Sequence, residues 1–257
     1  MSSRWLEAQW PAPHGIRALT TLRTGPGISP LPLGPCNLGD RCGDSATNVA
    51  ENRLRLLQAL KLPSAPCWLR QVHGNRAVRV DAPAGPGWAT PEADAAVSTD
   101  PNAVLAVLTA DCLPVALASI DGSVVGVAHA GWRGLASGVL ENTVAACAIE
   151  PSRLVAWLGP AIGPSSFEVG PEVRQAFVEA DPQAASAFAP GQGDRWMADL
   201  YHLAHQRLLR TGISSIFGGG EDTYEGRHRF HSYRRDGSSS GRMATLIWRD
   251  RAASRNA

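Results

Sequence analysis

The chain has 257 residues, 44% of them hydrophobic and 18% charged, with a formal net charge of +1. These values fit a globular protein with a sizeable core, as one large domain or two small ones. They argue against a dedicated nucleic-acid or membrane-surface binder. Lys61 is the only lysine, which removes a P-loop and makes Schiff-base chemistry a poor fit. The first residues, Met1 to Ala12, lack the basic and apolar regions of a signal peptide, and no run approaches the ~18 apolar residues of a membrane span. Five cysteines, an odd number without CxxC spacing, read as reduced thiols. The expected location is therefore cytoplasmic.

In chain order, Thr20–Thr24 reads as a short strand, followed by a Pro/Gly-rich loop to Pro35. Ser45 or Thr47 caps a helix to about Leu60, with Val49, Leu56, Leu57 and Leu60 on one face and Pro63 beyond its end. Cys67–Val80 alternates as one or two strands interrupted at His73-Gly74-Asn75, and Ala82–Pro91 reads as a surface loop. A single helix is expected over Leu135–Ala148, a buried strand over Leu154–Leu158 and a helix opened by Pro171 with Val173 and Phe177 inward. Ala184–Gly193 shows no pattern and reads as a loop. Asp199–Arg210 is an amphipathic helix stopped by Gly212. Strands follow at Ile213–Phe217 and Met243–Trp248, with a frayed tail over 249–257.

The chain centres on Ala103–Ala136. One apolar run ends at Thr109, a tight corner presents Asp111 and Cys112, and two more runs joined by Asp121-Gly122 end at His129. Gly131-Trp132-Arg133-Gly134 then leads into a helix whose free N–H groups, with Arg133, suit an anion. A thiol and an imidazole thus sit at strand ends. With His73 they form a possible zinc set that leaves the fourth position open. Spacing alone also suits a buried structural cysteine with two hydrogen-bonded histidines. It equally suits a Cys112 nucleophile with His129 as base and Asp111 or another carboxylate as orienter. His202 with His205, and His228 with His231, read as solvated surface pairs. Arg23, Arg70, Arg234, Arg235 and Arg242 are further candidate anion clamps among Gly-, Ser- and Thr-rich segments.

Five motifs, in order, resemble one family. They are Leu69-Arg70-Gln71-Val72-His73-Gly74, Thr109-Ala110-Asp111-Cys112-Leu113-Pro114, and Ala128-His129-Ala130-Gly131-Trp132-Arg133-Gly134-Leu135. Leu158–Pro164 with Phe167–Gly170, and Ser232–Asp236 with Gly241-Arg242-Met243, complete the set. The chain resembles the YfiH/laccase-domain family from about Trp10 to Trp248. The resemblance implies an α+β fold, a single domain over 1–257 with mixed sheets sandwiched between helices. It also implies one zinc ion on His73, Cys112 and His129, which are then the catalytic centre, with copper only as an adventitious occupant. Arg133, Arg234, Arg235, Arg23 and Gln71 are the expected substrate and phosphate contacts.

The implied activity is phosphorolysis of adenosine, inosine and methylthioadenosine, with adenosine deamination. The partners are a small-molecule nucleoside and phosphate, with no nucleic acid or membrane, and a monomer is expected. The alternative is amide hydrolysis in mis-built UDP-muramoyl amino acid precursors of peptidoglycan. Polyphenol oxidation by a four-copper centre fits poorly, because seven histidines include no His-x-His pair. Two positions depart from the pattern. Asp222 precedes Thr223-Tyr224 where Cys is usual, and His231 precedes the Ser-Tyr-Arg-Arg run where Phe is usual. The loop Arg23–Gly27 is also less regular than the family's.

Overall fold

The structure is a computed structural model and describes residues 4–13, 15–85 and 88–250. Strands β1 (Trp5–Glu7) and β2 (Ile16–Thr21) open the chain, and helix α1 (Ala46–Leu60) follows with Ser45 as its N-cap. Short strands β3 (Pro66–Cys67), β4 (Ala77–Arg79) and β5 (Ala95–Ser98) lead to the central trio β6 (Val104–Thr109), β7 (Leu113–Ser119) and β8 (Val125–Ala130). Helices α2 (Trp132–Ala136) and α3 (Val139–Cys147) come next, then β9 (Leu154–Leu158), β10 (Glu168–Val169) and α4 (Pro171–Val178). The chain ends with β11 (Phe188–Pro190), β12 (Trp196–Ala198), α5 (Leu200–Thr211), β13 (Ser215–Gly218), the single turn α6 (Tyr233–Asp236) and β14 (Met243–Arg249).

The strands form a five-stranded sheet in the order β1-β2-β14-β6-β3 and a six-stranded sheet in the order β13-β9-β7-β8-β5-β4, both mixed, plus a small antiparallel β10-β12-β11 sheet. Alternation within single strands shows how the layers stack. Leu105 and Val107 of β6 join Ala116 and Ala118 of β7 in the core between the two large sheets. Val104 and Ala106 point the other way, onto Leu56 and Leu60 of α1. Val115 and Leu117 of β7 instead face α3 and α5. The fold is α+β, with two mixed sheets face to face and helices on both outer sides. Strands buried on both faces read as continuous apolar runs, which is why β6, β7 and β8 stand out in the sequence.

Three expectations need correction. The helix expected over 135–148 starts at Trp132 and breaks at Gly138 (φ 93°), so α2 and α3 are separate. The patternless 184–193 segment holds most of a 3-10 helix (Pro182–Ala187) and β11, whose short elements carry too few residues for periodicity to show. The first strand ends at Thr21 rather than running to Thr24. Of the tail 249–257, residues 251–257 lie outside the described residues. No helix among those described is long and apolar enough to cross a membrane.

Candidate metal centre and its cavity

The corner Ala110–Cys112 carries the chain from the five-stranded sheet into the six-stranded one. Asp111 takes φ 90° there, a strained value for a residue with a side chain. Its buried carboxylate accepts from Thr223 Oγ1 (2.6 Å), Ser232 Oγ (3.0 Å) and the Arg234 backbone N–H (2.6 Å). Asp111 therefore pins the C-terminal segment to the corner and does not orient His129. The orienting carboxylate is Asp94, fully buried just before β5. It accepts from His129 Nδ1 (2.8 Å) and from the backbone N–H groups of Val72 (3.1 Å), His73 (2.9 Å) and Gly74 (2.8 Å). One side chain thus fixes the His129 ring and the His73 turn, where His73 has φ 60°.

The ligand-capable atoms of His73, Cys112 and His129 lie within 4.8 Å of one another, and no other such group of three occurs among the described residues. The imidazole rings meet edge to face, with centroids 4.8 Å apart. Burial opposes the Cys112 thiolate, but His129 and then His73 more than offset it, so the thiol pKa is lowered. Burial likewise opposes a charged His129, yet the adjacent thiolate and Asp94 raise its pKa. The two shifts run in the direction that favours charge on both partners. With Nδ1–H given to Asp94, Nε2 of His129 is free to ligate. Two imidazoles and a thiolate form a donor set suited to zinc with one open position. The backbone also makes room. A Cβ on Gly131 would sit 2.8 Å from Cys112 Sγ and 3.3 Å from His73 Cδ2. Gly131→Ala is expected to weaken metal retention by about tenfold or more while the thermal transition moves little, checked by metal titration beside calorimetry.

The triad opens into a cavity of about 570 Å³, within the usual range for small-molecule sites. Arg133 and Arg234 line it. Arg133 lies 4.4 Å above the Trp132 ring, and Arg234 lies 5.3 Å above the Phe167 ring while donating to the Glu168 carbonyl (3.0 Å). The helix behind Arg133 has only five residues, so the guanidinium rather than the helix terminus is the group suited to an anion. Gln71 also lines the cavity, but its amide is taken. It donates to Leu108 O (2.8 Å) and accepts from Leu108 N–H (2.7 Å), holding the loop to β6.

Arg23 and Arg235 are not in this cavity. Arg235 spends its guanidinium on Asp236 and on the carbonyls of Thr223, Tyr224 and Phe230. Arg23 bonds the Arg227 and Pro32 carbonyls beside a second, more open pocket. Sequence reading missed Asp94, Arg41 and Arg53. Nothing local marks them, since each reaches the site only through tertiary contacts. His202 bonds Ser186 and Gln206 on an exposed helix face, and His205 and His228 are exposed. Asp222 is engaged too, accepting from Ser166 Oγ (2.6 Å) and the Tyr224 N–H (2.9 Å).

His231 is fully buried. Burial first, then the Arg23 and Arg242 charges, push its pKa down to about 3. Its unfolded value is about 6.5. The unfolded chain therefore binds the extra proton between those values, and stability, complete above pH 6.5, falls as pH drops toward 3. His231→Phe is expected to flatten that acid limb, with the two proteins' stabilities diverging by on the order of 2 kcal/mol from pH 6.5 to 5. Denaturant unfolding across that range checks it.

Fold and site together define an α+β protein with a candidate two-histidine, one-cysteine metal centre in an arginine-rich cavity. The chain belongs to the family whose model is described as multi-copper polyphenol oxidoreductase laccase, which matches residues 17–250. It is 54% identical over 250 residues to a purine nucleoside phosphorylase of Xylella fastidiosa, covering 95% of this chain and 96% of that protein. It is 49% identical over 246 residues to the purine nucleoside phosphorylase YfiH of Escherichia coli, covering 96% and 99%. The crystal structure of Neisseria meningitidis protein NMB0706 superposes with a TM-score of 0.91 at 44% identity, covering 96% of this chain and all of that one. YlmD from Geobacillus stearothermophilus superposes at 0.89 with 29% identity, covering 97% of each.

Proposed function

We propose that this chain is a zinc-dependent purine nucleoside phosphorylase of a reducing, cytoplasmic compartment. It splits adenosine, inosine or methylthioadenosine with phosphate into free base and ribose 1-phosphate, and it also deaminates adenosine. The observation that carries the reading is the convergence of His73, Cys112 and His129 at a cavity that also presents Arg133 and Arg234. The relatives named purine nucleoside phosphorylase support the substrate class.

His73, Cys112 and His129 would hold the ion, which when bound supplies a Lewis acid with one open position. Arg133 and Arg234 hold inorganic phosphate, each kept in place by an aromatic ring. A phosphate oxygen attacks the ribose anomeric carbon as the glycosidic bond breaks. The bond's electron pair leaves with the base, which takes up a proton. Asp94 keeps His129 in one tautomer and one orientation throughout.

The test is metal analysis of chain purified without chelator, paired with hypoxanthine release from inosine. About one zinc per chain is expected, with release that requires phosphate, stops with chelator and returns with zinc. Absence of release alongside cleavage of a UDP-muramoyl amino acid would replace this reading with the amidohydrolase one.

A further inference from the structure

One phosphate needs only two of the arginines that line the cavity, and the cavity has six. Arg70 is neutralised by Glu92, but Arg41, Arg133, Arg234 and Arg242 have no carboxylate partner within 4 Å among the described residues. The arginines are built on two different frames. Arg133 and Arg234 stack on Trp132 and Phe167, which pack against the helix-side core of the six-stranded sheet. Arg53 stacks at 4.3 Å on Trp68, which packs against the α1-side core of the five-stranded sheet.

Arg53 and Arg242 share a footing. Arg53 donates to the Leu38 carbonyl (2.9 Å) from Nη2, and that nitrogen lies 3.7 Å from Asp40. Arg242 runs so close over Gly39 that a Cβ there would lie 2.5 Å from its Cγ. Arg242 also lies 5.7 Å from the Tyr233 ring centre, and its guanidinium donates to Ser240 and Gly241 carbonyls (2.6 and 3.0 Å). Arg41, next in the same loop, is exposed at the cavity. Burial disfavours the Arg53 charge, which only the 3.7 Å Asp40 carboxylate offsets, so an arriving anion is favourable there, and guanidiniums already held by packing lose little entropy when it binds.

We propose that Arg41, Arg53 and Arg242 form a second anion subsite that binds a phosphate ester carried by the substrate, so that the site takes a phosphorylated nucleoside as well as inorganic phosphate. This rests on the nucleoside reading above. The walls divide the work. The Trp132–Phe167 wall holds the attacking phosphate, and the Trp68 wall holds the ester.

The experiment compares binding of inosine, inosine 5′-monophosphate and inorganic phosphate to the full zinc-loaded chain by calorimetry, in wild type and in Arg41→Ala. Wild type is expected to bind the monophosphate at least tenfold more tightly than inosine, with an advantage that shrinks as salt rises. In Arg41→Ala, which truncates an exposed side chain, the ratio of the two affinities is expected to fall several-fold. Arg242→Lys, which keeps the charge, is expected to preserve most of it. Equal binding of inosine and its monophosphate to wild type overturns the subsite and leaves the nucleoside reading standing. No binding of either overturns the nucleoside reading itself. Inorganic phosphate binding that depends on Arg41, without a monophosphate advantage, assigns the wall to free phosphate and overturns the ester.

Discussion

Cys112→Ala and His129→Ala are each expected to abolish zinc retention and phosphorolysis together. Loss of an outer partner of a metal ligand typically costs 10–100-fold in affinity, and loss of the ligand itself should exceed that. Cys112 contributes the negative charge of the centre, drawn out by His129 and His73. Without the thiolate two neutral imidazoles remain, too few to hold zinc against dilution. The readout is metal content per chain after gel filtration, alongside phosphate-dependent base release. Far-ultraviolet circular dichroism should be unchanged, because the corner is held by Asp111 rather than by the thiol. A metal-free Cys112→Ala/His129→Ala protein with full activity would falsify the assignment.

The second large effect is expected at Asp94. Asp94→Asn keeps the shape but replaces the carboxylate that receives three backbone N–H groups and His129 Nδ1. An amide oxygen accepts fewer and weaker bonds than a carboxylate, and its NH2 group faces donors. Burial opposes the Asp94 charge, but the bond and charge of His129 and the Gly74 and Val72 amides keep its pKa lowered, so the ionised form is the one the fold uses. Removing one side of such a buried network costs about 3–5 kcal/mol. For a chain of this size that corresponds to a fall in Tm of roughly 6–10 °C. Metal affinity should fall about 10–100-fold as well, since His129 loses its orienting partner. A variant that is destabilised yet retains wild-type metal affinity would show that Asp94 supports the His73 turn alone.

The two departures from the family pattern have different consequences. Asp222 sits in a hydrogen-bonded turn with Ser166 and Tyr224, outside the cavity lining. His231 is buried beside Arg23 and Arg242, where its neutral form is held by burial and by those charges. Through Arg242, which lines the cavity, it bears on the second wall.

Chain-local physics decided much of this protein without reference to its tertiary structure. Both-face burial made β6, β7 and β8 legible as apolar runs; Ser45, one of the two residues expected to cap α1, is its N-cap, and Gly212 ends α5 as expected, with Asp199 capping that helix rather than opening it. Cys112 and His129 could be placed at strand ends because strand ends are marked by local turn chemistry. The rest depended on which strands and loops came together. Asp94 meets His129 across 35 residues, and Asp111 meets Arg234 across 123. Arg235, beside Arg234 in sequence, faces away because its guanidinium is consumed by backbone carbonyls. Periodicity and capping are carried by neighbours within a few residues of each other. Where a carboxylate or guanidinium finds its partner is set by the pairing and stacking of whole sheets, and only the folded chain contains that information.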